Sequence, residues 1–258
     1  MALAQLVGIC GAIILVYMSL LFLVALVRRD NSIADIGWGF GFIVVGLSVL
    51  FIQADFTIRQ ILLTSLVLLW GIRLSGRILK RNWGKGEDFR YRKWREEWGK
   101  WFLLRSYLQV FILQGFFMWL ISLPLIITGA NSVQGLGWLD YAGLAVWLTG
   151  FFFEAVGDWQ LDRFLADKKN RGKILDTGLW RYTRHPNYFG EVVMWWGIYI
   201  ISLSQPWGWA GIIGPITITV LILFVSGVPM LERAMAENPG YKEYARKTSI
   251  FLPLPPGK

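Results

Sequence analysis

The feature that most constrains this chain is a succession of apolar windows, each close to the about 20 residues a helix needs to cross the hydrocarbon core of a bilayer. They fall near residues 4–27, 36–54, 59–80, 103–127, 139–165, 186–204 and 209–230. Backbone N–H and C=O groups cannot go unsatisfied in lipid, so windows of this kind have to be helices. The expected fold is therefore all-α and polytopic, with seven transmembrane helices. Composition agrees: 55% of the 258 residues are hydrophobic and 16% aromatic, and fifteen tryptophans suit interfacial belts. The second window is short and carries Gly37, Gly39, Gly41 and Gly46, which let helices approach closely.

Charge orients the helices. If the N-terminus lies outside, 25 of the 26 Lys and Arg residues fall on inner segments and only Arg59 does not. That bias is what the positive-inside rule requires, so the C-terminus is expected in the cytoplasm. The formal net charge of +9 is then accounted for by membrane lipids, with no nucleic acid needed. Cys10 is the lone cysteine, so no internal disulfide forms, and a single histidine excludes a bis-His haem and argues against any metal site. No long linker or repeat interrupts the chain, which reads as one domain over 1–258.

The polar sequence concentrates on the inner side. GLWRYTRHPNYFGE, residues 178–191, holds the only histidine, His185, beside Arg181, Tyr182 and Arg184 at the threshold of the sixth window. Pro186 stands at a natural first helical position, with Asn187, Tyr188 and Glu191 along the first turn. Such a helix start offers free N–H groups to a phosphate, with Arg181, Arg184 and Lys173 adding charge. The fifth window carries Glu154, Asp158 and Asp162 at successive i,i+4 steps, a carboxylate stripe too costly to expose to lipid. It can hydrogen-bond ribose hydroxyls or an amide, or pair with Arg73, Arg77, Arg163 or Arg184. No GxGxxG or Walker pattern occurs, so a nucleotide would bind without a Rossmann fold. The run after the third window alternates basic and aromatic residues, as an interfacial helix does.

Asp35 has two readings. Ser32 three residues earlier suits an N-cap, with Asp35 as its shortened capping-box partner. Alternatively Asp35 is a carboxyl in an apolar pocket that stays protonated and donates to a substrate carbonyl.

Taken together, GLWRYTRHPNYFGE, FFFEAVGDWQLDRF, LLWGIRLSGR, GEDFRYRKWR and YKEYARKTSIFLP resemble the steroid 5-alpha-reductase family, specifically its bacterial members. The resemblance covers most of the chain from Asp35 onward. It implies a multi-pass protein of the bacterial inner membrane, with substrate-side helices over about 4–80 and NADPH held by the helices and loops of about 80–258, open to the cytoplasm. The implied reaction reduces the carbon–carbon double bond of a 3-oxo-4-ene steroid or similar lipophilic enone, which enters from the membrane. Catalysis then falls to Asp35, near the family's glutamate, and Trp70, at its tyrosine position. The implied cofactor set is Arg73, Arg77, Arg90, Tyr91, Glu154, Asp158, Asp162, Lys173, Tyr182, Arg184, His185, Asn187, Tyr188 and Glu191. Trp70 lacks a phenol, Glu154 stands where animal members have asparagine, and Asp162 where they have arginine.

Membrane methyltransferases acting on isoprenylcysteine or phospholipid amines resemble part of the same sequence. They share the Arg-His-Pro-x-Tyr-x-Gly segment and a glutamate-containing tail, here GVPMLERAMAENPGYKEYARKT, which would imply S-adenosylmethionine. Glu232 followed by Arg233, and Asn187 inside the motif, favour the reductase.

Overall fold

A computed structural model describes every residue of the chain except Ser132, Gln134 and Lys258. Among the described residues there is no β-strand, and an isolated bridge pairs Thr183 with Ser249. Six helical stretches among the described residues are long and apolar enough to cross a membrane: Leu3–Arg28, Ile33–Gln53, Ile58–Asn82, Phe89–Ile121, Trp138–Ala166 and Gly208–Met235. The protein is thus an all-helical integral membrane protein. The window at 186–204 becomes helix Pro186–Ser202, whose 17 residues make it shorter than any of those six. The chain divides into two compact units, residues 1–137 with 202–214, and residues 138–201 with 215–258.

The first unit begins with α1 (Leu3–Arg28), α2 (Ile33–Gln53) and α3 (Ile58–Asn82). The glycine pattern of α2 does what its spacing predicts, because a Cβ at Gly39 would lie 2.7 Å from the carbonyl oxygen of Gly71 on α3. The reverse contact, from Gly71 to the oxygen of Gly39, is equally short. Thr57 caps α3 by accepting from the Gln60 N–H, and the Gln60 side chain returns a bond to the Thr57 N–H. Next come α4 (Phe89–Trp98), α5 (Phe102–Arg105), a π-helical segment Ser106–Ile112, α6 (Leu113–Ile121) and α7 (Leu123–Gly129). The window at 103–127 is therefore not one uniform helix. Trp119 of α6 donates to the Val7 carbonyl of α1, and Tyr17 of α1 donates to the Gly37 carbonyl of α2.

The second unit holds α8 (Trp138–Ala166), α9 (Pro186–Ser202), most of α10 (Ile213–Val220), α11 (Val228–Met235) and α12 (Tyr241–Lys247). Gly143, Gly150 and Gly157 recur every seven residues on α8, as Gly190 and Gly197 do on α9. These glycines meet across a seam so tight that a Cβ at Gly150 would sit 2.5 Å from the Gly190 carbonyl oxygen. A Cβ at Gly143 would lie 2.6 Å from that of Gly197. Close backbone approach through small residues is how helices gain packing where lipid supplies no hydrophobic drive.

Candidate functional site

In the first unit, the α1–α2 turn and the segment leading into α4 lock together. The Glu87 carboxylate accepts from the Asn31 N–H at 3.0 Å and from Arg95 at 2.7 and 3.0 Å. Ser32 occupies the N-cap position of α2 but makes no cap bond there. Its hydroxyl accepts instead from the Asp88 N–H at 2.8 Å. Asp35 is no capping-box partner either, because its side chain reaches across to α4. Oδ1 accepts from the Tyr91 hydroxyl at 2.6 Å and Oδ2 from the Arg90 guanidinium at 2.7 Å. In place of the apolar pocket expected from sequence, Asp35 has a phenol on one oxygen and a guanidinium on the other.

Asp88 holds the other side of Arg90. It caps α4 through the Arg90 N–H at 3.0 Å and takes Arg90 Nε at 2.9 Å. Burial pulls the Asp88 carboxyl upward, but the hydrogen bonds and charge of Arg90 outweigh it and leave it below the usual carboxylate range. Tyr91 is buried, 3% exposed. Trp70 is likewise buried, with its ring edge-to-face on Phe42 at 5.5 Å. It packs in the α2–α3 seam, and the phenol beside Asp35 is that of Tyr91. Arg73 and Arg77 lie one turn apart on α3, partly buried, and both carry further interactions. An apolar cavity of about 250 Å³ opens in the same unit between α1 and α6, lined by Met18, Phe116 and Trp119 among others.

In the second unit the glycine seam sets two polar residues side by side. Glu154 and Asp158 of α8 are 2% and 3% exposed, and Asn187, in the first turn of α9, donates from Nδ2 to Asp158 Oδ1 at 3.1 Å. A carboxylate only accepts, which fixes the amide's orientation and leaves Asn187 Oδ1 buried without a hydrogen-bond partner. Asp162, two turns along from Glu154, is exposed, as are Lys173 and Tyr182. Glu191 is half-buried and carries a further interaction of its own.

Arg184 and His185 belong to a different cluster from Asn187. Arg184 forks onto Glu232 of α11, Nε to Oε1 at 3.0 Å and Nη2 to Oε2 at 2.9 Å. Its Nη1 donates to the Ala245 and Thr248 carbonyls at the end of α12. His185 Nε2 lies 2.8 Å from Glu232 Oε1, and the Tyr241 hydroxyl donates to the same oxygen. Burial holds the His185 imidazole below its ordinary value despite the upward pull of Glu232, so it is neutral near pH 7. Nε2–H then donates to Glu232, and Nδ1, which stacks with its ring beside Tyr188 at 5.7 Å, is a buried acceptor without a partner. The Tyr244 hydroxyl and Thr183 Oγ1 add bonds to the Trp180 and Phe251 carbonyls. The expected phosphate contact from Arg184 is thus replaced by a clamp that holds the C-terminal tail over residues 180–185.

Sequence reasoning missed Asp88, Glu87, Tyr241 and the α8–α9 glycine seam. The seven-residue glycine spacing was a readable signal for the seam. An Asp directly before a helical run was a readable N-cap signal for Asp88, but nothing local marks the bonds of Glu87 and Asp88 to Asn31 and Ser32, 56 residues away.

These observations define the class: an all-helical membrane protein with part-buried polar clusters built around carboxylates. The family model described as "Protein of unknown function (DUF1295)" matches residues 21–248, and the chain belongs to that family. An uncharacterized protein of Schizosaccharomyces pombe is 24% identical over 226 residues, covering 76% of this chain and 63% of that protein. A steroid 5-alpha-reductase of Arabidopsis thaliana is 35% identical over 77 residues, 29% of this chain and 27% of the plant protein. The chain thus spans less than two thirds of the length of these curated relatives. No solved structure matches it.

Proposed function

We propose that this protein is an NADPH-dependent reductase of the carbon–carbon double bond of a 3-oxo-4-ene steroid or similar lipophilic enone. The observation that carries the reading is the buried Tyr91 hydroxyl held on Asp35, with Arg90 on the carboxylate's other oxygen. Family membership and the partial likeness to a steroid reductase support it. Bound NADPH would supply a hydride for the β-carbon of the enone, and a proton from water would complete the reduction at the α-carbon. Negative charge then builds on the substrate oxygen, where a preorganised donor is worth about 3 kcal/mol. Tyr91 is that donor: its hydroxyl turns from Asp35 to the substrate oxygen, while Arg90 keeps the carboxylate paired. Asp35 is a positioning carboxylate and Trp70 packs the wall.

The residues of the second unit fit the cofactor. Asn187 Oδ1 lacks a donor, and a carboxamide NH₂ is a donor. Glu154 and Asp158 can accept from hydroxyls, and the first-turn N–H groups of α9 suit a negatively charged group. Lys173 and Tyr182 are exposed and available to the outer part of the cofactor. The apolar lining of the α1–α6 cavity suits a lipophilic substrate. We also assign α9 as a seventh span and place the N-terminus outside, which the distribution of Lys and Arg supports.

The test is NADPH oxidation by the detergent-purified protein with progesterone or testosterone, the product being weighed for a gain of two hydrogens. Steroid-dependent oxidation giving that product supports the reductase. Silence with several enones, together with binding of S-adenosylmethionine, moves the chain to the methyltransferases.

A further inference from the structure

We propose that a pocket at the end of α8 is a headgroup site for an anionic phospholipid, independent of the reaction assigned above. The pocket has a volume of about 320 Å³ and straddles the end of a membrane-spanning helix. Trp159, Arg163 and Phe164 come from the last two turns of the stretch Trp138–Ala166, whereas Asn170, Leu175 and Thr177 come from the chain beyond it. At 100° per residue, these α8 side chains project largely away from the Glu154–Asp158 side, so the pocket is not part of the proposed cofactor set.

The wall is built rather than loose. Gly178 takes a left-handed φ of +63°, and any Cβ there would meet the Gln160 amide at 2.4 Å. The Leu179 N–H donates to Gln160 Oε1 at 3.0 Å, and Asn170 Nδ2 donates to the Phe164 carbonyl at 3.0 Å. These bonds fix the returning chain against the helix. The Arg163 guanidinium lies over the Trp159 ring, 5.5 Å from its centroid. Trp159 itself is 55% exposed, a large aromatic placed where a helix leaves the bilayer.

Charge selects the ligand. Between residues 162 and 176 five basic side chains stand against three acidic ones, and Lys168, Lys169, Arg171 and Lys173 follow the helix directly. Asp167 is the one carboxylate in the lining, and its Oδ1 already accepts from the Lys169 N–H at 2.9 Å. A soluble anion would leave Trp159, Phe164 and Leu175 uncovered. A phospholipid places its phosphate at Arg163 and its glycerol and upper acyl carbons on those apolar groups, matching both halves of the pocket.

The experiment is native mass spectrometry of the full chain in mild detergent, with equal amounts of phosphatidylglycerol and phosphatidylcholine of the same acyl composition. Wild type should retain phosphatidylglycerol preferentially. Arg163→Ala should lower that retention by about fivefold, the loss of one basic contact. Thr177→Asp, which leaves the Trp159–Arg163 pair intact, should lower it as well, and Lys242→Glu, elsewhere in the same unit, should leave it unchanged. Equal retention of the two lipids, wild-type retention by both pocket variants, or an equal loss in Lys242→Glu would overturn the proposal. So would displacement of the lipid by millimolar inorganic phosphate, since the site would then hold a free anion.

Discussion

Two carboxylates in this protein carry the same kind of company. Asp35 is bonded to Arg90 and Tyr91 in the first unit, and Glu232 to Arg184, Tyr241 and His185 in the second. A carboxylate has about four acceptor positions. Glu232 receives four bonds, three on Oε1 from Arg184, His185 and Tyr241 and one on Oε2 from Arg184, so it has less left to offer a ligand than Asp35. Arg184 in turn spends its remaining nitrogen on two tail carbonyls. Asp35 receives two bonds, one per oxygen, leaving about half its capacity open. The comparison teaches that residue type alone does not separate a clamp from a reactive group. The count of satisfied positions does.

The sharpest way to break the contrast is to remove one hydroxyl from each trio. On the proposed reaction, Tyr91→Phe should lower turnover by about 10²–10³-fold, the cost of losing a single donor to developing negative charge. NADPH affinity and thermal stability should stay near wild type, and steroid-dependent NADPH oxidation reads the difference. Tyr241→Phe should leave turnover within a few-fold. Wild-type turnover in Tyr91→Phe would make the Asp35 trio a clamp like the other.

Glu232→Ala tests the opposite pole. It strips the partner from Arg184, whose side chain is 11% exposed, and from buried His185. Uncompensated groups of this kind cost roughly 3 kcal/mol. The thermal midpoint in detergent should fall, and protease should reach the tail between α12 and Leu254 sooner. An unchanged midpoint would show that the tail is held by its backbone bonds alone.

Hydropathy made the helical class legible, because a span of lipid-compatible length leaves little alternative. It could not show that residues 103–127 divide into a π-helical segment and three short helices, since hydropathy is blind to hydrogen-bond register. The motif at 178–191 placed Asn187 in the first turn of a helix that starts at Pro186, and the structure adds its bond to Asp158. It could not reveal that Arg184 and His185, three and two residues before Asn187, turn instead to Glu232. That choice depends on a contact 47 residues away. Likewise Asp35 was legible as a residue of interest. The family resemblance pointed to Trp70 on α3 as its companion, whereas the hydroxyl bonded to Asp35 comes from Tyr91 of α4.

Glycine gives a smaller and cleaner comparison. Gly150→Ala would place a Cβ 2.5 Å from the Gly190 oxygen, where backbone must move, and should cost about 2 kcal/mol. It should also weaken NADPH retention by displacing Asn187 from Asp158. Gly76→Ala on α3 meets nothing within 4 Å and should be neutral or gain up to about 1 kcal/mol from helix propensity. Equal midpoints for the two variants would mean that the α8–α9 seam relaxes freely.

The smallest effect concerns pH and again separates the two clusters. Burial holds His185 below its ordinary value, so in the folded protein it binds a proton less readily than in the unfolded chain. Its contribution is fully present above the unfolded value of about 6.5 and is lost as pH falls through the window below that, because the unfolded state takes up the proton first. Asp88, beside Asp35, is held below the usual carboxylate range. Its contribution persists through that same window and is lost only at lower pH. His185→Gln keeps a side-chain N–H for Glu232 but cannot titrate. Thermal midpoints measured downward from pH 7.5 should therefore fall less steeply just below about pH 6.5 in His185→Gln than in wild type. Parallel curves in that window would show that the imidazole takes up its proton without cost, and that the Glu232 cluster is less closed than its four hydrogen bonds imply.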